Sequence, residues 1–109
     1  MIKPKNVVIG PITYDVIYDQ ASMDSESVDN NVELVGLTEP YKATIHVSPG
    51  ISEQVQPITL AHEVLHALWF SAGLNHIDNP TQENVVSMMA PGLVSFLRDN
   101  IVAVEYLSS

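Results

Sequence analysis

One stretch restricts the fold more than any other part of the chain. Between Ser52 and Gly73 the apolar residues Ile58, Ala61, Leu65, Leu68 and Ala72 recur at spacings of three and four. That period puts them on one side of an α-helix and excludes the twofold alternation of a strand. Proline is tolerated only in a helix's first turn, so the helix starts between Ser52, a candidate N-cap, and Pro57. Gly73 is placed to end it. The same helix carries His62-Glu63-Val64-Leu65-His66. Four residues advance a helix by about 400°, so the two imidazoles leave nearly one face, a turn apart. With Ile58 at zero, His62 lies at about 40° and His66 at about 80°, against an apolar stripe centred at about 310°. The pair is thus expected to flank the buried face and line a cleft.

Two imidazole nitrogens so placed can share one Zn²⁺ at about 2.0–2.1 Å. Glu63, at about 140°, is expected past the histidines, where its carboxylate can take a proton from a water as that water attacks a carbonyl. With 4 histidines and 7 glutamates in 109 residues, chance matches to His-Glu-x-x-His number roughly 0.01, so the motif is specific. The chain has no cysteine, which leaves His, Asp and Glu as the ligand types for any metal.

A catalytic zinc takes three protein ligands and keeps one position open, so a third ligand has to come from elsewhere. After Gly73 a loop over residues 73–78 reverses the chain. Asn79-Pro80-Thr81-Gln82 then reads as a helix start, with Asn79 as cap, Pro80 in the first position and Gln82 as capping-box partner. Glu83 at the end of that first turn returns towards the histidines. It is the only carboxylate in the body of the second helix, although the helix dipole alone favours an acid there. His76 and Asp78 are the alternatives that spacing leaves open.

The remainder sets a frame for this pair of helices. Residues 7–9, 12–18, 32–37 and 41–47 read as strands, with turns at Gly10-Pro11 and Ser48-Pro49-Gly50. Residues 19–31 carry four acids and no base, and read as an exposed loop. Val85, Val86, Met89, Leu93 and Leu97 give the second helix a core face, Pro91 should kink or split it, and residues 101–106 form a last strand or a docked segment. The expected architecture is one α+β domain over residues 1–109, with a small, mainly antiparallel sheet packed on two or three helices. Thirteen acids against four Lys and Arg give a net charge of −9. Such a surface repels phosphate backbones and anionic membranes. The apolar runs are far shorter than the roughly 20 residues of a membrane span, and Met1 to Lys5 is not followed by a signal-peptide core.

The segment Thr59-Leu60-Ala61-His62-Glu63-Val64-Leu65-His66-Ala67-Leu68 resembles the active-site helix of small phage and prophage metallopeptidases, which are similar to the ImmA/IrrE-like peptidases and to minimal gluzincins. The likeness continues in Gln82-Glu83-Asn84-Val85-Val86-Ser87-Met88-Met89-Ala90-Pro91, where such families carry the glutamate ligand, and extends over roughly residues 32 to 100. A metzincin arrangement is excluded, since Trp69 and Ala72 stand where its Gly and His belong. The resemblance implies a zincin-like fold with His62, His66 and Glu83 as Zn²⁺ ligands and Glu63 as catalytic base. It also implies a peptide or protein substrate, a cytoplasmic location in a bacterial host, and a cleft edged by the strand at residues 41–47. The pattern leaves the oxyanion stabiliser open among His46, His76 and Tyr41, and the oligomeric state open altogether. Trp69 reads as a cleft wall or core residue, Met88 and Met89 as core filler, and Asn84 as surface. The rival to an enzyme is a catalytically silent, metal-binding phage accessory or interaction protein; a fourth position closed by His76 or Asp78 would favour it.

Overall fold

The computed structural model describes residues 2–20 and 35–109. It is an α+β arrangement in the order β1 (Asn6–Ile9), β2 (Ile12–Ile17), β3 (Gly36–Glu39), a 3₁₀ turn (Pro40–Lys42), β4 (Thr44–Val47), α1 (Gln56–Ser71), α2 (Asn79–Asp99) and α3 (Ile101–Leu107). Most of the acidic loop expected over residues 19–31, and the start of the strand expected over 32–37, fall outside the described residues.

The four strands form one sheet in the order β1-β2-β4-β3. β1 and β2 make a hairpin through Gly10, whose φ of +59° suits glycine. β3 and β4 are antiparallel, but β2 and β4 run parallel, with Val16 opposite Ile45. The sheet is therefore mixed, a correction to the mainly antiparallel sheet expected. The reason lies in the connection: β3 folds back on β4 through the 3₁₀ turn, so β4 rather than β3 lies beside β2. In β2, Tyr14 and Val16 point inward and their neighbours outward. In the internal strand β4, Ile45 and Val47 face the core while His46 is buried on the opposite side.

α1 lies across β3, β4 and β1. It begins and ends where expected, with Pro57 in its first turn and Gly73, at φ +75°, past its end. Its most buried stripe was not the expected one. Gln56, Thr59, Glu63 and Ala67 are buried, while Leu68 and Ala72 are exposed. Small side chains at Thr59 and Ala67 let the sheet come close, and the polar members of the stripe hide it from an apolar count. Ile9, Tyr14, Val16, Ile45, Val47 and Ala67 make the core between helix and sheet, with Leu60 and Val64 packed against it.

α2 packs on the remaining side of α1. Its N-cap is Asp78, not Asn79, because the Asp78 carboxylate accepts from the Thr81 amide at 2.9 Å. Val86, Ala90 and Val94 are its buried residues. Met89 and Leu97, expected in the core face, are exposed, as is Met88. Pro91 lies within α2 without ending it. The tail expected as a strand or docked segment is the short helix α3, bent by 99° from α2 and without a buried residue.

Candidate metal centre

Two turns of α1 and the second turn of α2 supply a cluster of three side chains. His62 and His66 bring their Nε2 atoms to 3.2 Å of one another. Glu83 spans the pair, with Oε1 2.9 Å from His62 Nε2 and Oε2 2.8 Å from His66 Nε2. This group can hold a metal ion. Ligands arranged tetrahedrally at about 2.0–2.1 Å lie about 3.3 Å apart, close to the spacing of the two nitrogens. Glu83 is thus the carboxylate brought to the histidines. His76 lies exposed in the loop, and the Asp78 carboxylate is engaged with the Thr81 amide and hydroxyl. Among the described residues neither belongs to the group.

The surroundings prepare the histidines to bind a cation. His66 Nδ1 donates to Gln82 Oε1 at 2.6 Å. A neutral His66 then turns a lone pair at Nε2 towards His62 and Glu83. Acceptors facing acceptors at these distances require a cation between them, a proton or a metal ion. Burial holds His62 below the ordinary histidine value, helped by the charge of His66 and opposed by that of Glu83. The neutral form, which ligates metals, is favoured accordingly. Gln82 was expected as a capping-box residue; its side chain instead orients a histidine of the neighbouring helix, which no local pattern discloses.

Glu63 lies deeper than the sequence suggests. Only 6 % exposed, it faces the sheet beneath β3. Thr38 Oγ1 donates to Glu63 Oε1 at 2.8 Å and lies 3.0 Å from the Glu63 carbonyl. The other oxygen, Oε2, is turned towards the histidines, 4.0 Å from His62 Nε2. Burial pushes this carboxyl up to about 7, with the Glu83 charge adding and the Thr38 hydrogen bond and His66 opposing. Gly36 makes the depth possible: a Cβ there would lie 2.7 Å from Glu63 Oε2 and 2.9 Å from Thr59 Cγ2. The roles of Gly36 and Thr38 were missed at the sequence level, since they arise from a strand that crosses the helix.

The cluster opens into a cleft of about 550 Å³, with Leu37, Pro40 and Phe70 on one flank and Asn75, Asn79 and Gln82 on another. The cleft's edge strand is β3, not the strand expected over residues 41–47, because β4 lies inside the sheet. Of the three oxyanion candidates, His46 is ruled out by position. It lies on the far side of the sheet, with Nδ1 2.7 Å from Asp19 Oδ1 and Nε2 2.9 Å from Glu39 Oε1. Tyr41 stands exposed in the 3₁₀ turn, its ring edge-on to Phe70 at 5.4 Å. Trp69 donates its indole N–H to the Leu74 carbonyl at 2.9 Å and so secures the turn after α1. No family model, curated protein or solved structure matches this chain.

Proposed function

We propose that this protein is a zinc-dependent peptidase of gluzincin type, with His62, His66 and Glu83 as ligands and Glu63 as general base. The observation that carries the reading is the juxtaposition of a three-donor group with a buried carboxylate whose free oxygen faces it across 4.0 Å. Two histidines and one carboxylate, without thiolates, form a donor set familiar from catalytic zinc. When bound, zinc would polarise a peptide carbonyl and lower the pKa of a water to about 7.

The chain's own groups supply the rest. Thr38 fixes Glu63 by one oxygen and leaves Oε2 free to accept a proton from the attacking water and return it to the departing amine. Burial raises the Glu63 carboxyl and so makes it a better proton acceptor, while a bound cation beside it would favour the carboxylate form that a general base needs. Gln82 keeps His66 in the tautomer that ligates through Nε2. An extended peptide can reach the cluster along β3, whose outer edge is unpaired among the described strands and borders the cleft.

The deciding experiment combines elemental analysis with a cleavage assay on wild type, Glu83→Ala and Glu63→Gln. One zinc per wild-type chain, lost in Glu83→Ala, is expected. Glu63→Gln should keep its zinc while cutting the rate against an unstructured protein substrate by at least about 10²-fold. Wild type without zinc after reconstitution would end the proposal. Full zinc with no cleavage by wild type would leave the silent metal-binding protein as the better account.

A further inference from the structure

α2 carries a second apolar stripe that the described residues leave largely uncovered. Val86, Ala90 and Val94 point into the body. More than a third of a turn away around the helix come Val85, Met89, Gly92 and Phe96, at spacings of four, three and four, with Met88 alongside. That is the spacing of a seam between two helices. Met88, Met89 and Phe96 are exposed, Met88 by 81 %.

Gly92 lies within this stripe. A Cβ built there meets nothing within 4 Å, and its φ is not positive. Nothing among the described residues therefore calls for a glycine, the poorest helix former after proline. A bare backbone in the middle of an exposed apolar seam suits the close approach of another helix.

Beyond this stripe Leu97 is also exposed, as are Ile101, Val102, Tyr106 and Leu107 on α3. At roughly 200 Å² for a whole large apolar residue, the exposed ones from Met88 onward offer on the order of 1,000 Å², about a third of it from Met88, Met89 and Phe96 on the stripe and the rest from Leu97 and α3. The largest apolar patch on an ordinary monomer is about 300–600 Å². Each partner of a stable dimer covers about 800 Å². Charge then selects the occupant. The chain has a net charge of −9, yet from Val85 onward its only charged side chains are Arg98, Asp99 and Glu105. Two copies meet with least repulsion through this face, whereas one arginine is a poor match to an anionic lipid surface.

We infer that the free face of α2 is an isologous contact between two copies of this chain, the two α2 helices crossing at Gly92 with Met89 and Phe96 of each packed on the other. Sedimentation equilibrium of the full chain over a micromolar to submillimolar series tests this, with far-UV circular dichroism on the variants Phe96→Glu and Gly92→Leu. The wild type is expected to be a dimer. Each substitution should raise the dimer Kd by at least about tenfold while leaving helix content unchanged. Gly92→Leu guards against misfolding, because leucine favours the helix and the space above residue 92 is open. A wild type that stays monomeric overturns the inference, including one that instead floats with phosphatidylcholine vesicles. A dimer that survives both substitutions overturns it too, by putting the contact elsewhere.

Discussion

A methyl group in place of the Gly36 hydrogen would sit 2.7 Å from Glu63 Oε2 and 2.9 Å from Thr59 Cγ2. Both neighbours are buried between α1 and the sheet; the Glu63 carboxylate can turn aside, but Thr59 Cγ2 and Glu63 Cγ, at 2.9 and 3.0 Å, lie close to the helix backbone. Gly36→Ala is expected to cost about 1–3 kcal/mol in urea unfolding, the usual cost of overpacking. An unchanged midpoint would show that β3 moves freely against α1. Glu63 itself predicts a pH effect. Its carboxyl lies at about 7, above its ordinary value of 4.5, so between these pH values the folded chain holds more protons than the unfolded one. Stability contributed by this group is therefore present below about pH 4.5 and lost as pH rises through about 7. Glu63→Gln cannot ionise. In chelator-treated protein it should be more stable than wild type by up to about 3 kcal/mol at pH 8, and by little at pH 4. The same difference at both values would contradict the burial argument.

Between elements, the informative contact is the one that joins α1 to α2. Their apolar junction draws on Val86, Ala90 and Val94, and the polar junction on Gln82 and Glu83 with the two histidines. A metal held by both helices would clamp them, so zinc is expected to raise the melting temperature and chelation to lower it. Glu83→Ala should abolish that response. Gln82→Ala should keep the fold but weaken zinc binding by about 10–100-fold, as measured by competition with a chromophoric chelator. An unaltered affinity would reduce Gln82 to a surface contact.

For the molecule as a whole, a net charge of −9 in 109 residues sets the terms of association. Like-charged copies repel over about 10 Å at moderate ionic strength. Self-association through the α2 face should therefore strengthen with added sodium chloride, followed by sedimentation from low to physiological salt. A weakening would point to salt bridges and not to an apolar seam.

The two helices, the stop of the first at Gly73, the α+β class and the meeting of His62, His66 and Glu83 were legible in the sequence. Each rests on a local rule: a period of 3.6, a proline confined to a first turn, a histidine pair one turn apart, a carboxylate on the returning helix. Those rules read neighbours along the chain and stop there. The parallel pairing of β2 with β4, the burial of Glu63 beneath Gly36 and Thr38, and the removal of His46 to the far side of the sheet all depend on strands distant in sequence. So does the core face of α1, where the helix turns Thr59, Glu63 and Ala67 to the sheet and leaves Leu68 in solvent. An apolar count places the most hydrophobic stripe inward. Tertiary structure chose otherwise, because close packing against β3 rewards small side chains and a buried carboxylate that finds its hydroxyl partner.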